Sequence, residues 1–184
     1  MKRTLSLMIA VFLMIAAAKA QDATQLMTEF KSSTRAENIK SLNEAKDALQ
    51  GSGIQSLDKM AERSSELLAS LQTIGDTIPS VYERVFNETM EGLNNDDLQK
   101  PTVEELEGLA AEIANSATAI ATASSDLESV SNDVVKIRNP LQVRKAASAL
   151  NYSKNAIKFA KDEVALQGKL VAALLEQLKS DIGL

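Results

Sequence analysis

The sequence predicts an all-α protein: an elongated up-down four-helix bundle with long, coiled-coil-like helices and a C-terminal αα-hairpin. Two ladders of apolar residues at seven-residue spacing predict it first. One runs through Leu106, Ile113, Ile120, Leu127, Val134 and Leu141, the other through Val143, Leu150, Ile157, Val164, Val171 and Leu178. Leu109, Ser116, Ala123, Val130 and Ile137 interleave with the first ladder, and Ala146, Ser153, Ala160, Gln167 and Leu174 with the second. A 3-4 repeat held this long keeps one narrow stripe of a helix against a partner helix. Composition is the second observation. With no Cys, no Trp, two Tyr and four Phe, the chain has neither a disulfide framework nor the aromatic load of a sandwich, so packing alone must hold it together. The third is punctuation, because glycine, proline and capping residues fall where the ladders stop.

In chain order, residues 1–20 read as a cleaved signal peptide and 21–184 as a single helical-bundle domain. Lys2 and Arg3 make a basic start, Leu5 to Ala18 an apolar stretch, and Ala18-Lys19-Ala20 a small-x-small cleavage site. The alternative is a retained membrane anchor. Without a Cys, lipid attachment at a lipobox is excluded. The expected destination is the periplasm or the extracellular space, and no later segment reads as a membrane span.

A first helix is expected over about 23–49, with apolar positions at Leu26, Phe30, Ile39, Leu42, Ala45 and Leu49 and a polar lapse from Lys31 to Asn38. Gly51-Ser52-Gly53 ends it, since glycines admit the positive φ of a C-cap and tight turn. The second helix, about 54–93, carries Leu57, Met60, Ser64, Leu67, Leu71, Ile74 and Ile78, and Pro79 calls for a kink or short break. Asn94-Asn95-Asp96-Asp97 with Pro101 reads as a loop. Thr102 and Glu105 form a capping box that starts a third helix, about 102–138. Asn139-Pro140, an N-cap followed by a proline at the first helical position, starts a fourth, about 140–182. So short a connection favours reversal into a hairpin. A kinked continuous rod is the alternative, and the second ladder starting two residues after the last rung of the first marks the break either way.

Reactive chemistry is scarce. With no His and no Cys the chain cannot build a Ser-His-Asp or Cys-His nucleophile, a tetrahedral zinc site or a haem attachment, and it has no phosphate-binding glycine loop. Asn94 to Asp97 lack the spacing and central glycine of a calcium loop. Glu104, Glu105, Glu107 and Glu112 sit in the first turns of a helix, where the dipole favours acids. The triplets Asn87-Glu88-Thr89 and Asn151-Tyr152-Ser153 match a glycosylation sequon but fall within expected helices. No cofactor, metal or enzymatic activity is expected. The chain from Gln21 holds 17 basic and 25 acidic residues, a balance that disfavours nucleic acid.

Two features stand above this background. Lys136, Arg138, Arg144, Lys145, Lys154, Lys158 and Lys161 fall in the 28 residues from Val134 to Lys161, which contain no Asp or Glu, while Glu83 to Asp133 hold twelve acids against Arg84 and Lys100. In a hairpin those cations gather toward Asn139 and form the candidate contact for an anionic partner, such as a lipid, a cell-envelope polymer or an acidic protein. The bland alternative is that the acids of Glu83 to Asp97 neutralise them. Small residues form the second feature: Ala110, Ala117, Ser124 and Ser131 beside the first ladder, and Ala146, Ser153 and Ala160 on the second. They predict close packing, with a homodimer seam or an apolar-ligand gap as the sharper readings. The function expected is that of an exported, non-enzymatic helical protein acting by protein-protein or cell-envelope contact, itself included among its partners. The alternative is an amphipathic-helix carrier of lipid or another apolar ligand.

Overall fold

The computed structural model describes residues 22–86, 99–135 and 137–183, and every regular element among them is helical. The helices are α1 (Ala23–Phe30), α2 (Ser33–Asp47), α3 (Gln55–Phe86), α4 (Val103–Val134) and α5 (Pro140–Asp181). They form a helical bundle organised as two compact units. The first takes α1, the C-terminal part of α3, the start of α4 and the end of α5; the second takes α2, the start of α3, the end of α4 and most of α5. The leader assigned to residues 1–20, the triplet at Asn87 and the loop Asn94 to Asp97 lie outside the described residues.

The single first helix expected over 23–49 is two helices. Nothing apolar in the run from Lys31 to Asn38 holds a continuous stripe, and Ser32 adopts an extended backbone (φ −64°, ψ 145°) and caps a new helix by accepting from the Arg35 amide. Asp22 caps α1, accepting from the Thr24 amide at 2.9 Å. Gly53, at φ 74°, makes the turn after α2 as expected, and buried Ser52 fastens it: its amide donates to Asp58 and its hydroxyl accepts from the Ile54 amide. The break allowed at Pro79 does not occur. Pro79 stands inside a continuous α3, where buried Ile78 and Val81 seat the helix on either side of it. Thr102 accepts from the Glu105 amide at 3.1 Å and starts α4. That helix ends at Val134, short of the expected 138. Asn139 then accepts from the Leu141 amide at 3.0 Å, and its carbonyl takes the Val143 amide, so α5 starts where the sequence places it.

The first unit is built on large aliphatic side chains. Leu26, Met27 and Phe30 of α1 meet Ile74, Ile78, Val81 and Val85 of α3, Leu106 and Ile113 of α4, and Leu170, Val171, Leu174 and Leu178 of α5 in one cluster. Tyr82 belongs to it, its ring 4.7 Å from that of Phe86 and its hydroxyl on Thr24. Charged pairs close its surface. Arg84 holds Glu105 with two bonds of 2.6 and 2.9 Å, Lys100 meets Asp181 at 2.9 Å, and Glu107 near the start of α4 meets Lys179 near the end of α5.

The second unit is packed with smaller residues. Ala61, Ala123, Ala146, Ala149, Ala156 and Ala160 are buried with Ser64, Ser116 and Ser153, among larger residues such as Leu57, Leu67 and Ile157. Ser64 and Ser153 bond carbonyls four residues back in their own helices, at 2.7 and 2.9 Å, which satisfies a buried hydroxyl without asking a neighbouring helix for a partner. Near the α4–α5 connection, Leu57, Ala146 and Leu150 pack with Leu127, Val130, Val134 and Ile137. The polar α2 buries only Leu42 and is tied down by a charge: the Arg35 guanidinium bonds both oxygens of Glu163, which is 3% exposed.

The ladders fare unequally. On the second, Ala146, Ser153, Ala160, Gln167 and Leu174 are all buried, as are Leu150, Ile157, Val171 and Leu178. On the first, Leu106, Ile113, Ile120 and Ala123 are buried, but Leu141, expected as the last rung, is 66% exposed. The helix that carried the ladder has ended by then, and α5 restarts with its own register.

Candidate anionic-partner surface

Six of the seven candidate cations lie among the described residues; Lys136 lies outside them. Arg138 is exposed in the connection, and the others are on α5 in the second unit. At 3.6 residues per turn, Arg144, Lys154, Lys158 and Lys161 fall within about 100° of arc on that helix, with Lys145 on the opposite flank. All four are exposed and Lys145 is half-buried.

Two small cavities sort these residues further. Arg144 and Lys145 share one of about 330 Å³ with Ala48, Gln50, Leu141 and Ser148, so the end of α2 and the start of α5 build it together. Lys158 lines a second of about 330 Å³ that also contains Asp162 and the polar side chains Asn38, Ser41 and Asn155. Lys154 and Lys161 line neither. Five of the candidate cations therefore lie on α5 and Arg138 in the connection before it, and of these Arg144 and Lys145 share one concave site.

Ion pairing divides the described cations, and Lys31, Lys46, Lys59 and Lys169, scattered along the chain, join this surface in having no carboxylate within 4 Å among the described residues. Arg35, Lys40, Arg63, Arg84, Lys100 and Lys179 each sit within salt-bridge distance of a carboxylate. Among the described residues, none of Arg138, Arg144, Lys145, Lys154, Lys158 and Lys161 does. Of the acids in the span suggested as neutralising partners, Glu83 is described and makes no such pair with them, and Glu88, Glu91, Asp96 and Asp97 lie outside the described residues. The two cations within the acidic span are already held: Arg84 keeps the Glu105 carboxyl below its ordinary value of 4.5 through their hydrogen bonds, with the Thr102 amide adding to the effect, and Lys100 does the same for Asp181.

Sequence reasoning missed several residues here. Gln50 and Ala48 reach the Arg144–Lys145 cavity from a helix end remote in sequence, which no local pattern signals. Val135 belongs to no ladder and Leu141 reads as a rung, and they are 84% and 66% exposed. For Leu141 the signal was available, since it follows Pro140 and belongs to the first turn of a new helix. A further cavity of about 620 Å³ in the same unit is lined by Lys46, Asp58, Glu62, Glu66, Gln50 and Ser65 with Leu49, Gly51 and two alanines. Tyr152 is buried nearby, which pushes its hydroxyl above the ordinary value of 10.0. Among the described residues no cluster of three or more His, Cys, Asp or Glu could hold a metal, and no helix is long and apolar enough to cross a membrane. No family model, curated protein or solved structure matches the chain.

Proposed function

We propose that the chain is an exported, non-enzymatic helical protein that works by contact with another macromolecule, and that the basic surface around the start of α5 is where it meets an anionic partner. The observation that carries this reading is the density of cations: Arg138, Arg144, Lys145, Lys154, Lys158 and Lys161 fall in a stretch with no Asp or Glu, and none has a carboxylate within 4 Å among the described residues. Charge left unneutralised on one surface creates a field that steers and holds an oppositely charged partner. A binding protein needs no reactive side chains, which agrees with a sequence lacking both His and Cys. Export rests on the leader-like residues 1–20.

The up-down, coiled-coil-like arrangement belongs to the same proposal. Its support is that Glu107 pairs with Lys179 while Leu127 and Val130 pack with Ala146 and Leu150, the order of contacts a reversal at Asn139-Pro140 produces. The buried 3-4 ladder of α5 supports close helix seams.

The test is retention of the full chain on the soluble polyanion heparin and on anionic vesicles at low salt. Replacing Arg138, Arg144 and Lys145 together with Gln is expected to reduce retention on at least one by more than tenfold; unchanged binding to both removes the proposal. Sedimentation at several concentrations separates self-association from binding to a foreign partner. The apolar-ligand carrier predicts clearance of neutral vesicles as well.

A further inference from the structure

We infer that the connection around Asn139 is a docking site for an anionic phospholipid surface, with Arg138, Arg144 and Lys145 at the headgroups and Val135 and Leu141 entering the interfacial layer. The inference rests on the proposed anionic contact and names its partner.

Val135 and Leu141 are the most exposed of the chain's described large hydrophobic residues, at 84% and 66%, Val135 in the connection that follows α4 and Leu141 in the first turn of α5. They are interspersed with the cations in sequence, Val135 before Arg138 and Leu141 before Arg144 and Lys145. Leu141 also lines the cavity of about 330 Å³ into which Arg144, Lys145 and Gln50 bring N–H donors. Donors of this kind suit a phosphate group.

The combination selects among anionic partners. A polysaccharide or another soluble polyanion would satisfy the cations but leave Val135 and Leu141 in water. Two apolar side chains are too few to make the core of a stable protein interface. At a bilayer surface both needs are met together, because anionic headgroups overlie an apolar layer that reversible interfacial binding exploits. The contact would stay interfacial, since no described helix is long and apolar enough to cross.

The experiment uses the full chain in flotation with vesicles of phosphatidylcholine, with and without phosphatidylglycerol, alongside retention on heparin. Binding to the mixed vesicles alone is expected. Arg144→Gln with Lys145→Gln should weaken it about 25-fold, roughly fivefold per cation. Val135→Ser with Leu141→Ser should weaken vesicle binding about tenfold and leave heparin retention unchanged. Because the chain contains no Trp, Leu141→Trp adds a single reporter whose emission should shift to the blue on mixed vesicles only. The lipid assignment is overturned if mixed vesicles do not bind, if the serine variant binds them as tightly as the parent, or if the reporter stays water-like. Heparin retention that still falls with the Gln pair would then leave the broader proposal standing, whereas loss of both responses removes both.

Discussion

The two units of this bundle share three helices and differ in almost everything their side chains do. From Gln21 onward, the residues of the first unit include 14 acids and 4 bases, those of the second 11 acids and 13 bases. The first buries leucine, isoleucine, valine and aromatic residues in one cluster and pairs Arg84, Lys100 and Lys179, three of its four cations, at the rim. The second fills much of its interior with alanine and serine, holds α2 through a buried ion pair, and leaves a row of cations facing outward. Burial of apolar area is the main source of stability. Most of the stabilising burial per side chain therefore falls to the acidic unit, while the proposed contact falls to the basic one. One helix serves both: α5 contributes Leu170, Val171 and Leu174 to the first and Arg144, Lys145 and Lys154 to the second.

The sharpest way to break the comparison is to cut into the aliphatic cluster. Leu174 is fully buried, so Leu174→Ala should cost about 2–5 kcal/mol in a urea melt, near the upper end if the cavity cannot collapse. A loss below about 1 kcal/mol would mean that the first unit is not the better packed. Next comes the charge holding α2. Arg35→Ala takes three guanidinium bonds from a carboxylate that is 3% exposed and should cost about 3 kcal/mol, while Arg35→Met combined with Glu163→Leu should recover most of it. Non-additivity in that cycle is the readout.

Smaller effects sharpen the contrast. Ser153 is fully buried among small residues, so Ser153→Leu should overpack the second unit by about 1–3 kcal/mol, whereas Ser153→Ala should be close to neutral because its hydroxyl bonds only its own helix. Smallest is the rim pair Arg84–Glu105, whose carboxylate side chain is 42% exposed and solvent-screened, giving about 0.2–1 kcal/mol. Since the folded state depresses the Glu105 value, that contribution is complete well above 4.5 and fades as the pH falls through the lower folded value. Arg84→Gln should therefore lower the melting temperature slightly at neutral pH, and the gap should close in acid. A gap that widens in acid contradicts the assignment.

Much of this was legible in the chain, for identifiable reasons. The α5 ladder could be read because a long uninterrupted helix keeps its stripe, and every interleaved rung from Ala146 to Leu174 is buried. Asn139-Pro140 and Thr102 could be read because capping is local chemistry. Leu141 misled because periodicity was carried across a break that resets the face. Ser32 was passed over because a serine inside a polar run looks like surface until its backbone turns extended. The Arg35–Glu163 pair spans 128 positions and depends on how α2 lies against α5, which no local pattern encodes. For the same reason the cations of the candidate surface were visible, while Gln50 and the cavity it shares with Arg144 and Lys145 were not.

The central claim is that contact belongs to the basic connection and not to the acidic unit. Amide hydrogen exchange along the full chain, with and without phosphatidylglycerol-containing vesicles, tests it most directly. Slowed exchange confined to residues 135–143 and the adjoining first turns of α5, with α1 and residues 72–86 unchanged, is the predicted result. Slowing in α1 or in 72–86 with the connection unaffected would contradict it.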